Sequence, residues 1–147
     1  MLTFVTVGQY WIAHRLLMAL VTRFDQRLLW LNLLFLMFVA LLPFPTSLLA
    51  QGSGLAWTVY ASNIVLMSGS LRALWGYAMV HDLTNAQARG GAARTITLRG
   101  WIALGVFLLS IPLSLIDFRL GAFTSLLILP LNVWIAPSGP RRPGRTP

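Results

Sequence analysis

Thr6, Tyr10 and His14 recur every fourth residue in an otherwise apolar stretch, with Thr3 and Gln9 close by. On a helix that spacing gathers hydroxyl, phenol and imidazole groups into one stripe. At membrane depth such a stripe turns toward other helices or water rather than lipid. It can hold helices together by interhelical hydrogen bonds, or it can border a path for an ion. The spacing leaves both open. Arg72 lies inside another apolar run, where a guanidinium is costly unless it is paired or snorkels to the interface. The acids Asp25, Asp82 and Asp117 all fall in or beside polar gaps, so neither fate of Arg72 is chosen. Asn32 and Asn63 sit within apolar runs and are expected to make structural hydrogen bonds between helices. Ser62, Gly69, Ala73 and Gly76 share a narrow arc of a helical wheel, which predicts close helix packing there.

Other chemistry finds no support. The chain has no Cys, and its two His, His14 and His81, lack metal-ligand spacing. No paired carboxylates, His-Glu-x-x-His array, Gly-x-Ser-x-Gly elbow or phosphate-binding Gly loop occurs, and Gly90-Gly91 is followed by Ala92-Ala93. No catalytic residue, resident metal or cofactor is expected.

The elements that must position these residues follow from composition. Of 147 residues, 57% are hydrophobic and 10% charged, far fewer than the roughly one quarter charged in a soluble domain. Several apolar runs reach the ~17–25 residues that cross the hydrocarbon core. Backbone groups in lipid must be satisfied internally, and runs of this length choose helices over a barrel. The expected fold is all-α, a polytopic transmembrane helix bundle over 1–136. Its five spans lie near 2–21, 28–50, 55–80, 100–116 and 120–136, and a basic tail over 137–147 is expected to be disordered. Pro43, Pro112 and Pro130 are expected to kink or end helices. Asp117-Phe118-Arg119 should join the last two spans as a tight antiparallel hairpin.

Net charge is +8, but a nucleic-acid surface needs a solvated basic face, and most Arg residues lie in gaps between apolar runs. Arg23 and Arg27 follow the first span, Arg89, Arg94 and Arg99 the third, and Arg141, Arg142 and Arg145 the fifth. Alternate crossings put these eight on one side and only Arg119 on the other, so the Arg-rich gaps and the C-terminus are expected in the cytoplasm. Trp30, Trp75, Trp101 and Trp134 near cytoplasmic ends, and Trp57 near an outer end, fit interfacial belts. No positive n-region precedes the first apolar stretch, so a cleavable signal peptide is not expected. Five spans with the tail inside leave the N-terminus outside, the topology of a six-span protein without its first helix.

The string Trp30-Leu-Asn-Leu-Leu-Phe-Leu-Met-Phe-Val-Ala-Leu-Leu-Pro-Phe-Pro-Thr46, with Tyr10-Trp-Ile-Ala-His14-Arg upstream, resembles the bacterial branch of the transmembrane protein 175 family of potassium channels. The match rests on Trp11-x-x-His14, Asn32 and Pro43-Phe-Pro-Thr46, and extends more weakly through the last three spans. The resemblance implies six helices per repeat, tetrameric assembly and a pore lined by bulky apolar residues of the first helix, without a pore-loop filter. That helix carries Arg-x-x-x-Phe-Ser-Asp in the family, and no such signature occurs in this sequence. The spans therefore align with helices two to six. The expectation is a potassium channel subunit of the plasma membrane, N-terminally truncated, with K+ as the transported ion. Trp11, His14, Asn32 and Arg72 would form an interhelical polar network near the pore. The bilayer and further copies of the chain are its expected partners. The alternative is a non-conducting channel remnant or assembly subunit. A transporter is disfavoured by the lack of broken helices in matching halves.

Overall fold

The computed structural model describes residues 2–126, apart from the side chains of residues 2, 89, 91–96, 99, 122, 125 and 126. Among them the chain is helical throughout, in six α-helices: α1 (Leu2–Met18), α2 (Gln26–Leu41), α3 (Pro43–Leu48), α4 (Gly54–Val80), α5 (Gly91–Ile116) and α6 (Phe118–Leu126). Short 3-10 turns follow α3 at Leu49–Gln51 and precede α5 at Ala86–Arg89.

The centre of the fold is α4, whose buried residues include Tyr60, Ile64, Met67, Leu71, Leu74 and Ala78. Phe35 of α2, Leu42, Phe107 of α5 and Leu17 join it in one core, so α2 and α5 flank α4 and α6 folds back on α5. Ser53 starts α4 by accepting the Ala56 N–H. Gly52 turns the chain before it at φ 62°, a left-handed conformation open to glycine.

The second predicted span is broken at Pro43. Proline has no N–H and clashes with the preceding turn, so the Leu42 N–H bonds to Val39 rather than to Phe38. The freed Phe38 carbonyl accepts from Asn63 Nδ2 at 3.1 Å. The break is thus satisfied from α4, as a polar group inside lipid requires. Helical structure resumes, and Gln26–Gln51 is the one stretch among the described residues long and apolar enough to cross a membrane. The apolar part of α5, Gly100–Ile116, is shorter, and α1 has 17 residues. The length of α4 is sufficient at 27 residues, but Asn63, Arg72 and its Ser and Gly residues dilute its hydropathy. The fourth element starts earlier than predicted, at Gly91, so Arg94 and Arg99 lie on helix rather than in a loop. It also continues through Pro112. Only Asp117 separates α5 from α6. The end of the fifth span, Pro130, Trp134 and the tail lie outside the described residues.

Two of the interfacial tryptophans are core residues instead. Trp57 is 2% and Trp75 8% exposed, whereas Trp30 and Trp101 face outward. Indole packs well in a bundle when its N–H finds an acceptor, and Trp57 Nε1 donates to Ser110 Oγ at 3.3 Å.

At the end of the bundle carrying Arg23 and Arg27, two loops are stitched together. Val21 and Thr84 form an isolated antiparallel bridge, the Thr22 and Arg23 N–H groups donate to Leu83, and Asn85 N–H donates to Leu20. Asp25 caps α2 by accepting the Leu28 N–H at 2.7 Å and also accepts the Tyr77 hydroxyl at 2.5 Å. Donation from Tyr77 first, and from Leu28 second, holds the Asp25 carboxyl below its ordinary range. The unfolded chain therefore binds a proton at higher pH than the folded one. The stability supplied by this cap is fully present above the ordinary carboxylate pKa of about 4 and is lost as acidification passes through the lowered folded value. Thermal unfolding in detergent should show the loss as an acid limb that Asp25→Asn flattens; an unchanged limb would mean the cap does not govern it.

Candidate functional site

The polar stripe of α1 meets the bundle through Tyr10 and His14 among others. Tyr10 hydrogen-bonds Ser68 of α4 through their hydroxyls. One turn on, His14 Nε2 donates to Asn32 Oδ1 of α2 at 2.7 Å. The imidazole stacks on Phe35, with centroids 4.9 Å apart and planes at 12°, and on Trp11 at 5.9 Å and 28°. Stacking fixes the ring plane, and the bond to Asn32 places a proton on Nε2. Trp11, His14 and Asn32 therefore meet in space, joined by Phe35, whose i, i+3 relation to Asn32 puts both on one face of α2. Ser68 is a residue that sequence reasoning passed over. Tyr60 and Ser68, eight residues and so about two turns apart, were the available sign that α4 presents a partly polar face.

Arg72 is elsewhere. Its Nη1 donates to the Thr97 carbonyl of α5 at 3.1 Å, and the guanidinium lies 3.5 Å over the Trp101 ring. The structure thus separates the four residues into a His14 cluster on α1 and α2 and an Arg72 clamp on α4 and α5.

The arc of Ser62, Gly69, Ala73 and Gly76 turns outward. A Cβ added at Gly69 or Gly76 meets no atom within 4 Å, and Ala73 and Gly76 are exposed. Tight helix approach occurs at other glycines. A Cβ on Gly54 would lie 2.3 Å from the Ser114 carbonyl oxygen, and one on Gly121 would lie 2.6 Å from Ser114 Cβ and 2.8 Å from Trp57. Nothing in their local sequence marked Gly54 and Gly121, since each opens or follows a turn.

Removing either partner of the His14–Asn32 pair should destabilise the bundle. A double-mutant cycle with His14→Ala and Asn32→Ala should give a coupling of ~0.6–1.7 kcal/mol, the range of buried polar pairs between membrane helices. Strictly additive losses in detergent unfolding would show that the bond contributes nothing.

Among the described residues no three His, Cys, Asp or Glu gather as metal ligands. What the geometry offers is anchoring of α1 by polar side chains, with Phe4, Trp11 and Ile12 on its outer face exposed. Residues 1–43, which hold the whole His14 cluster, match the family profile described as Endosomal/lysosomal potassium channel TMEM175. The chain is 32% identical over 127 residues to a potassium channel of Streptomyces collinus, an alignment covering 77% of this chain and 62% of that one. It is 30% identical over 125 residues to a potassium channel of Chamaesiphon minutus, covering 81% and 62%. The chain is thus similar to proteins of the transmembrane protein 175 family. It spans 62% of the length of each of these family relatives. No solved structure matches it. The similarity is to membrane ion channels rather than enzymes, and the matched profile falls on α1 and α2, where the polar cluster is built.

Proposed function

We propose that the chain is a subunit of a potassium channel of the bacterial plasma membrane, crossing the bilayer five times and working as a homo-oligomer, a tetramer by family resemblance. The observation that carries this reading is the alignment with two proteins named potassium channels over 77% and 81% of the chain. The crossings are α1, Gln26–Gln51, α4, the apolar part of α5 and the apolar run 120–136, which overlaps α6. The loops with Arg23 and Arg89 and the helix starts with Arg27, Arg94 and Arg99 face the cytoplasm by the excess of Arg on that side. The His14 cluster ties α1 to α2 and leaves the outer face of α1, with Phe4 81% exposed, for lipid or a neighbouring subunit. Selection of K+ rests on dehydration at a narrow apolar constriction, since no run of the chain has the form of a carbonyl filter or an acidic ring.

Liposomes loaded with the purified chain should exchange potassium faster than empty vesicles and faster than vesicles holding the His14→Ala variant. Flux equal to that of empty vesicles would remove the channel reading for this chain and leave a non-conducting assembly subunit.

A further inference from the structure

We propose that Arg72 is a binding site for the phosphate of an anionic phospholipid, whose acyl chain runs along the open arc of α4. The guanidinium is already held in place. One N–H donates to the Thr97 carbonyl, one face rests on Trp101, and Gly100 leaves the room that Nη1 occupies, where a Cβ would lie 2.9 Å away. A guanidinium has five N–H donors in a rigid fork matched to oxyanions. A carbonyl and a ring neutralise no charge, so the fork still lacks an anion.

Among the described residues no carboxylate is placed to supply one. Asp25 is engaged by Leu28 and Tyr77, and Asp117 accepts the Arg119 N–H at the far end of α5. Asp82 follows α4, ten residues and ~15 Å of helical rise beyond Arg72. A second copy would bring the same three Asp side chains, each at a helix end, and more Arg. Charge complementarity therefore favours lipid over another copy. The position also favours lipid over free phosphate. Arg72 lies eight residues before the end of α4, ~12 Å along the axis, beside exposed Leu98 and Trp101. A free ion would lose its hydration there, whereas a phosphodiester brings its own apolar tails, and basic pockets between helices on the cytoplasmic side suit such headgroups.

The groove for the tail is on the same helix. Arg72 lies ~60° round α4 from the line of Gly69 and Gly76, where added Cβ atoms meet nothing. Continuing toward the start of α4, the arc passes exposed Leu66 and enters a cleft of roughly 470 Å³ lined by Phe38, Leu41, Val59 and Ser62. From Arg72 to Val59 the rise is ~20 Å, the reach of a long acyl chain.

The test is native mass spectrometry of the full chain released from mixed micelles of phosphatidylglycerol and phosphatidylcholine with identical acyl chains. Phosphatidylglycerol should be retained roughly fivefold over phosphatidylcholine, the effect of one basic residue at an anionic surface. Arg72→Gln should abolish the preference, and Arg119→Gln should leave it intact. Ala73→Leu, which fills the arc at an exposed position and keeps the guanidinium, should lower retention of phosphatidylglycerol and carries the test if Arg72→Gln fails to fold. Equal retention of the two lipids, a preference surviving in Arg72→Gln, or displacement by millimolar inorganic phosphate would each overturn the site. A preference that vanishes when oligomers dissociate would overturn it too, by assigning the arc to a second copy. Ion flux does not enter, so failure here leaves the channel reading untouched.

Discussion

Trp57→Ala is expected to lower the stability of the detergent-solubilised protein by about 3–5 kcal/mol, the cost of truncating a large core aromatic. The indole is 2% exposed at the junction of α4, α5 and α6. It lies 5.5 Å from the Tyr60 ring and meets Phe118 edge-on at 6.1 Å. Its loss opens a cavity under the α5–α6 turn and takes the donor from buried Ser110. Lipid tails do not replace those contacts, because bundle association in a membrane rests on packing and interhelical hydrogen bonds rather than on expelling water. Trp57→Phe keeps the ring but not the N–H, and should recover most of the loss. Chemical unfolding of the three proteins measures this directly. A Trp57→Ala protein as stable as the wild type would place the indole at the interface with lipid, where the sequence alone had put it.

Gly54→Ala is expected to cost about 1–3 kcal/mol, the range for overpacking a tight site. The new methyl would lie 2.3 Å from the Ser114 carbonyl oxygen, and neither partner is a side chain that can turn aside. The start of α4 must therefore move off the end of α5. Gly121→Ala meets side chains, Ser114 and Trp57, which can give way in part, so its cost should be smaller. Gly69→Ala and Gly76→Ala enter open space and should be neutral or stabilising by up to about 1 kcal/mol through helix propensity. The order of the four melting temperatures is the test. Gly69→Ala or Gly76→Ala falling below Gly54→Ala in the isolated chain would reverse the packing described above.

These contacts describe a bundle that holds α1 by polar side chains, Tyr10 and His14 among them, with Phe4 and Ile12 exposed on its outer face.

The residues alone were enough for the helical class and for the lipid environment, because both depend on quantities that add along one run. Long apolar stretches with few charges have one solvent in which they are stable. The bias of Arg toward alternate gaps predicts an orientation in the same way, and Trp11-x-x-His14 with Asn32 and Pro43-Phe-Pro-Thr46 was specific enough to point to the family. Partner choice does not add along a run. Whether Trp57 faces lipid or Ser110, whether Gly69 or Gly54 meets a helix, and whether Arg72 joins His14 or Trp101 depend on how α4 is rotated and where α5 crosses it. Hydropathy and periodicity describe the faces of one helix, and only packing decides which faces touch.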